Sequence, residues 1–340
     1  LTFTTGISKN LMQNVHFNFM GNAKRSFMIW GAVIVICIIS FFVRGLAQSI
    51  DFTGGRNFVV QFEQVVQPET VRALLQEKVG DANVQAIALG TDGRTIRVTT
   101  NYRIEEDSPT IDAEIEEFLY NALKEGNLLG QGTTLDIFID RDNRTGGSII
   151  SSQKVGPSIA DDIKTSAIWS VVLALIAIGL YILLRFRNIA YSVGATVALV
   201  IDTTLIIGAY SLCYGWAPFS LEIDQTFIGA ILTAIGYSIN DKVVIFDRVR
   251  EFFHLYPKRD HARLFNDSLN TTLARTINTS LSTLIVLLSI FILGGDSIRS
   301  FAFAMILGVV IGTLSSLFVA APVAYITMGK RIKDAENAEA

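Results

Sequence analysis

Residues 225–247 read QTFIGAILTAIGYSINDKVVIFD. Roughly 20 mostly apolar residues carry a helix across about 30 Å of hydrocarbon, and this run meets that length. Five more stretches do the same, at about 26–46, 164–184, 189–212, 276–294 and 298–328, each flanked by charge or turn signals. The expected fold is therefore an α-helical membrane protein with six transmembrane helices. Composition points the same way: of 340 residues 50% are hydrophobic and only 17% charged, whereas an average soluble domain carries about 25% charge. The 28 basic and 31 acidic residues nearly cancel, so no global field recruits nucleic acid, and none is expected as a partner. Cys37 and Cys213 lie in or at the edge of apolar runs, and neither they nor the three histidines show metal-ligand spacing. No disulfide framework and no metal site are expected.

Between the first and second apolar stretches lies a polar region, about 48–160. Its pattern reads strand 56–63, helix 68–80, strand 83–90, strand 94–100, helix 110–125 and strand 133–140. That β-α-β-β-α-β order is the ferredoxin-like split arrangement, an α+β domain. Orientation follows from Lys and Arg in the short loops. Lys24, Arg25, Arg185, Arg187, Arg248, Arg250, Lys258, Arg259, Arg263, Lys330, Arg331 and Lys333 mark one side; the 213–224 loop has no Lys or Arg, and 294–299 has only Arg299. Both termini are expected in the cytoplasm and the 48–160 domain outside it. The expected organisation is a 1–25 connector, a first span within 26–47, the external domain, spans two to six within 161–329, and a 330–340 tail. The first 25 residues lack the pattern of a signal peptide, so the first hydrophobic helix is expected to act as its own insertion signal. Residues 248–264 mix basic and aromatic side chains, as a helix lying along the membrane surface would; an ordinary loop with a helical turn reads equally well.

Ionisable side chains within a bilayer are costly and mark a polar interior or a pathway. Asp202 falls near the middle of the third stretch, Asp241 in the inner half of the fourth, and Arg275 at the start of the fifth. At 1.5 Å per residue Asp241 sits about 9 Å above Asp247, and the long Arg275 side chain can reach a similar depth. An Asp241–Arg275 pair is allowed, with Asn240, Asn278, Thr279 and Ser280 able to complete its hydrogen bonds. Desolvation and a guanidinium act oppositely on a carboxyl group, which is the competition a proton carrier needs; a pair that only glues two helices together satisfies the same spacing. Asp202 is expected to bond Thr203, Thr204 or a neighbouring helix, and Lys242 to snorkel to the interface. Gly308 and Gly312, and Gly229 and Gly236, mark close helix contacts.

The segment Asp51-Phe52-Thr53-Gly54-Gly55 resembles the D-F-T-G-G signature of the SecD/SecF family. Val155-Gly156-Pro157-Ser158, Gly236-Tyr237-Ser238-Ile239-Asn240-Asp241, Asp247-Arg248-Val249-Arg250-Glu251 and Arg275-Thr276 resemble the SecF half in order and topology, over about residues 26–330. The resemblance implies an accessory part of bacterial Sec protein export in the inner membrane, with an RND-like half of six helices. It also implies use of the proton motive force to promote preprotein translocation or release at the outer face. Implied partners are SecD or a fused SecD half, the SecYEG translocon, a YajC-like accessory protein, the translocating preprotein and the lipid bilayer. The family's intramembrane acid falls on Asp241 and its arginine on Arg275, with Asp202 and Asn240 in supporting places. Lys242 departs from the small or hydroxyl residue the family often has there. Residues 1–25, without a starting Met, resemble the connector of versions in which SecD and SecF are fused. Gly54 and Gly55 supply backbone freedom where the domain begins, as a hinge or as a tight turn.

Competing readings are an RND-type exporter of small molecules or lipids, an intramembrane aspartyl protease and a scaffold that transports nothing. The D-F-T-G-G and G-Y-S-I-N-D runs favour protein export. The protease would need Y-D and G-x-G-D patterns, where this chain has Ile201-Asp202 and Ile239-Asn240-Asp241. No G-x-x-x-x-G-K-[ST] run provides a nucleotide site, so no enzymatic activity and no cofactor are expected. Energy is expected from a proton gradient, with sodium as the other candidate ion. A second six-helix half is expected, because such folds are built from paired repeats.

Overall fold

The computed structural model describes residues 16–89, 93–106, 108, 110–143, 146–217, 219, 221–294 and 296–329. The first part of the expected connector and the 330–340 tail, with Lys330, Arg331 and Lys333, lie outside the described residues. Among the described residues six helices are long and apolar enough to span a membrane: α1 (Ala23–Arg44), α6 (Pro157–Phe186), α7 (Ile189–Cys213), α8 (Gln225–Leu255), α9 (His261–Leu293) and α10 (Asp296–Ser315). The last runs on through a wider π-helical turn at Ser316–Ala320 towards Gly329. Helices α7, α8 and α10 are the most enclosed, while α1, α6 and α9 turn large apolar side chains such as Phe42, Leu184 and Leu293 outward. That distribution suits a hydrocarbon surround, where an exposed Leu costs nothing. Small residues let the central helices approach closely. A Cβ added at Gly308 would lie 2.4 Å from Ala234 Cβ, and one at Gly312 would lie 2.6 Å from Ser238 Oγ.

Helix α6 begins earlier than its apolar run suggests, because Pro157 supplies the pre-set φ favoured at a first helical position. The stretch 248–264 forms no separate surface helix: it comprises the end of α8, a turn at 256–260 and the start of α9. Helix α8 continues to Leu255 and α9 starts at His261, capped by Asp260, whose Oδ2 accepts the Arg263 amide at 3.1 Å. Within this stretch Phe252 joins the apolar core at this end of the bundle, with Phe19, Phe186, Phe246 and Phe265, while Tyr256 stays exposed.

Between α1 and α6 the chain forms a short helix α2 (Ile50–Thr53), β1 (Gly55–Gln61), α3 (Pro68–Val79), β2 (Val84–Leu89), β3 (Thr95–Thr100), α4 (Ile111–Glu125), α5 (Leu135–Ile139) and β4 (Ser148–Val155). The sheet order is β2-β3-β1-β4, with all three pairings antiparallel. Phe58, Val60, Phe62, Ile96 and Val98 alternate onto the face that packs against α3 and α4, around Val71, Leu75, Ile115, Leu119 and Leu123. The expected strand 133–140 is a helix, and the last strand lies further on. Thr134 caps α5 by accepting the Ile137 amide at 3.4 Å, and Phe138 alone enters the core while Ile137 and Ile139 stay exposed. The true strand, SIISSQKV, escapes a hydrophobicity reading because Ser151 and Gln153 face a polar space.

Candidate functional site

Helix α8 carries Ser238, Asp241 and Lys242 within one turn. Residues four apart share a face, whereas neighbours point about 100° apart. Ser238 and Lys242 therefore turn together towards α7 and α10, and Asp241 turns towards α9 and α10. Lys242 does not snorkel: its side chain is fully buried, and Nζ lies 2.9 Å from Asp202 Oδ2. The same ammonium donates to Ser238 Oγ and, at 3.1 Å, to Ser315 Oγ. Ser238 Oγ donates to Asp202 Oδ2 at 2.7 Å, while Asp202 Oδ1 is buried without a partner among the described residues. Thr203 and Thr204, expected near Asp202, donate to the carbonyls of Leu199 and Val200 on their own helix. A charge this deep finds its partner across helices because water cannot supply one.

Asp241 forms a separate cluster. Its Oδ2 accepts a hydrogen bond from Thr313 Oγ1 at 3.3 Å, and Thr313 Oγ1 lies 2.6 Å from Ser280 Oγ. Thr276 Oγ1, one turn along α9 from Ser280, is buried and unpartnered among the described residues. The expected Asp241–Arg275 ion pair is not made within 4.0 Å in this conformation. Arg275 is exposed on α9 and lines a cavity of about 830 Å³ together with Asp247, Arg248, Arg250, Glu251 and His254. The reason is rotational: Ser280 faces the bundle, so Arg275, Asn278 and Thr279 face out. Asn240 likewise is exposed, and of the expected helpers only Ser280 reaches the acid's cluster.

Asp51-Phe52-Thr53-Gly54-Gly55 forms a compact joint at the other end of the bundle. Ser49 caps α2, accepting the Asp51 amide, and Phe52 is buried with Tyr210, Leu221 and Phe227. Gly54 and Gly55 have φ of 70° and 152°. A Cβ on Gly54 would meet Pro157 Cα at 3.2 Å, and one on Gly55 would meet Ile50 Cγ2 at 2.8 Å and the Thr100 carbonyl at 3.0 Å. The glycines thus bring the start of β1, the end of β3 and the start of α6 to one crossing. Asp51 itself reaches the next bundle element: its Oδ2 accepts the Gln225 amide at 3.1 Å, and Asp224 Oδ1 accepts that of Phe227 at 2.7 Å. Both carboxylates therefore satisfy free amides at the start of α8, where the helix dipole favours them. The backbones of 47–49 and 223 pair as well, through Ser49 N to Ile223 O at 3.0 Å and Ile223 N to Ala47 O at 2.7 Å.

Sequence reasoning missed Lys242 as a bundle residue with Ser315 as its neighbour, Thr313 as the partner of Asp241, and the Glu222–Asp224 segment altogether. Asp224 carried a signal, an acidic cap immediately before an apolar helix. Ser238 and Lys242 carried another, their spacing of one turn.

The geometry describes a multi-pass membrane protein with charged residues in its helix core and a small sheet domain joined to one end. A profile described as "Protein export membrane protein SecD/SecF, C-terminal" matches residues 139–330, and one for the SecD/SecF GG motif matches residues 39–64. The chain belongs to the SecD/SecF protein-export membrane protein family and corresponds to its SecF half. It is 37% identical over 313 residues to protein translocase subunit SecF of Rhodothermus marinus, covering 92% of this chain and 94% of that one. With the SecF subunit of Petrotoga mobilis it shares 33% over 328 residues, 95% of this chain and 99% of the other. Protein translocase subunit SecDF of Thermus thermophilus is 33% identical over 306 residues, which is 89% of this chain but 37% of that protein. The crystal structure of SecDF from Thermus, described as a translocon-associated membrane protein, superposes with a TM-score of 0.74 at 30% identity, covering 94% of this chain and 39% of that one. A crystal structure of SecDF in a super-membrane-facing form gives 0.64 at 31% identity, covering 96% of this chain and 40% of that one. Six apolar spans and this membership make the chain a multi-pass inner-membrane protein.

Proposed function

We propose that this chain uses the proton motive force to promote preprotein translocation at the outer face of the inner membrane, with Asp241 as the proton carrier. The observation that carries the reading is a buried carboxyl group bonded to hydroxyl groups, in a bundle whose other buried acid, Asp202, already has its own cation. Asp241 then has two routes to neutrality: a proton, or the approach of Arg275 from the exposed face of α9. Movement of α9 towards the bundle would release the proton, and its return would allow another to bind. Asn240, beside Asp241 on the exposed face, takes a supporting role where a partner helix would pack. Sodium in place of the proton would need oxygen ligands, which Thr276, Ser280 and Thr313 could provide.

Both termini are placed in the cytoplasm, and the sheet domain, read as ferredoxin-like, is placed on the outer side. Support comes from the Lys and Arg distribution and from the β2-β3-β1-β4 order. Asp51, Phe52, Thr53, Gly54 and Gly55 form the joint through which movement in the bundle would reach that domain. The expected partner is a SecD half. The fused relative supports it, as does an exposed stripe of small and polar residues on α8 (Thr226, Gly229, Thr233, Gly236, Asn240) beside Arg275, Asn278 and Thr279 on α9. Such residues on a membrane helix suit another helix better than lipid. SecYEG, a YajC-like protein and the preprotein complete the proposed assembly.

The test is in vitro translocation with and without a membrane potential, using the chain assembled with its SecD partner. Asp241→Asn and Arg275→Met should insert normally and lose potential-dependent stimulation. Full stimulation in Asp241→Asn would refute the reading.

A further inference from the structure

The polar face of the sheet overhangs the bundle and leaves a cavity of about 460 Å³, within the size range of small-ligand sites. Ser151 and Gln153 of β4 and Arg97 of β3 form its roof; Asp51, Glu222 and Asp224 form its floor. The floor therefore brings three carboxyl groups to a space whose roof carries one guanidinium. Glu222 is the informative member. Its side chain is only 9% exposed, the Arg97 guanidinium comes no nearer than 4.0 Å, and Oε1 is buried without a hydrogen-bond partner among the described residues. Burial holds the Glu222 carboxyl above the usual carboxylate range, with Arg97 opposing and Asp224 adding to the effect. Asp224 is raised by burial in the same way, its bond from the Phe227 amide opposing.

A buried acceptor beside excess negative charge calls for a cationic donor, because charge-assisted hydrogen bonds are the strong ones. Among the described residues no group of three His, Cys, Asp or Glu is arranged to hold a metal. We propose that this cavity binds a lysine or arginine side chain of an extended polypeptide, with Glu222 as the principal acceptor. The polypeptide source follows from the sheet. β4 is an edge strand, and its Ser151 and Gln153 alternate onto the cavity face. A chain paired to the free edge would project every second side chain to the same side. The choice of a polypeptide rests on the export function proposed above; the affinity for a basic group does not.

The test uses the full chain in nanodiscs of phosphatidylglycerol and two labelled, end-capped heptapeptides of Thr, Ser and Val. One has a central lysine and the other a central norleucine. Fluorescence anisotropy should show the lysine peptide binding at least tenfold more tightly. That advantage should vanish in Glu222→Gln, shrink in Gln153→Leu, which leaves the floor intact, and persist in Glu69→Gln, a change on an exposed helix. Equal binding of the two peptides, or an undiminished advantage in Glu222→Gln with an unchanged melting temperature, overturns the proposal. Loss of lysine-peptide binding when phosphatidylethanolamine replaces part of the lipid also overturns it, since the site would then hold a lipid ammonium. Failure here with Asp241-dependent export intact removes this site alone; export independent of Asp241 removes the proton-carrier reading alone.

Discussion

Replacing Lys242 with Met tests how the bundle core is held. All three ammonium protons have acceptors, on Asp202, Ser238 and Ser315, so α7, α8 and α10 meet at one nitrogen. Met fills a similar volume but leaves Asp202 with the Ser238 hydroxyl alone and Oδ1 still unpartnered. Two magnitudes compete. A hydrogen bond between membrane helices is worth on average about 0.6 kcal/mol, whereas removing one member of a buried ion pair costs about 3–5 kcal/mol because it strands the other charge. With both side chains essentially inaccessible, the second figure governs. Lys242→Met should therefore destabilise the bundle by roughly 3 kcal/mol, about a hundredfold or more in the unfolding equilibrium. Asp202→Asn alone should cost a similar amount by stranding the lysine. The double variant, neutral on both sides, should recover most of the loss, with a coupling of at least about 2 kcal/mol. Reversible unfolding in bicelles, followed by steric trapping, measures all three. A single-variant cost below about 1 kcal/mol, or strictly additive losses, would refute the reasoning and reduce the pair to one hydrogen bond among many.

Gly312→Ala would place a methyl group 2.6 Å from Ser238 Oγ; it should push α10 away from α8 and reproduce much of the Lys242→Met loss in the same unfolding assay. Gly55→Ala, at φ 152° with Ile50 and the Thr100 carbonyl in the way, should cost roughly 1–3 kcal/mol, seen as faster hydrogen exchange at the start of β1. The junction should weaken as pH rises. A folded-state pKa raised by burial at Glu222 and Asp224 means the protonated carboxyl is favoured, so its contribution is present below the ordinary value of 4.5 for Glu222 and is lost as pH climbs through the raised one. Exchange protection at the Ser49, Ile223 and Gln225 amides, corrected for intrinsic rates, should fall over that window, less steeply in Glu222→Gln. Protection independent of pH would show that these carboxyl groups do not report on the junction.

The six spans were legible because length and apolarity are properties of a single segment, and five of the six expected domain elements were legible because Phe58, Val60, Ile96 and Val98 alternate or because helices α3 and α4 carry an apolar stripe. The exception is instructive. TTLDIFID alternates like a strand, yet a threonine cap and one anchoring Phe138 make it helical. Meanwhile SIISSQKV hides its strand because one face looks onto a polar cavity rather than a core. In the membrane, depth along a helix was legible and rotation about its axis was not. Asp241 and Arg275 lie at compatible depths, but Ser280 and Thr276 turn inward on α9 and carry Arg275 outward. No reading of one helix reveals that Lys242 meets Asp202, since the contact depends on how α7 and α8 are rotated against each other.

That rotation bears directly on the proposed coupling. Were Lys242 at the interface, as snorkelling would have it, Asp202 and Asp241 would be two equivalent buried acids, and a mobile arginine could serve either. With Lys242 fixed on Asp202 by hydrogen bonds from three helices, the acids are no longer equivalent. Asp202 has the Lys242 ammonium at 2.9 Å. Asp241, one residue from that lysine but turned about 100° away, has hydroxyl partners and a guanidinium that does not touch it. In the proposed coupling a proton and Arg275 are alternatives for the same carboxylate, and exchanging one for the other would need α9 to turn or shift against α8. Because Asp51 caps α8 at its far end and belongs to the segment that leads into the sheet, α8 is the element through which the proposed protonation of Asp241 would act on the sheet domain.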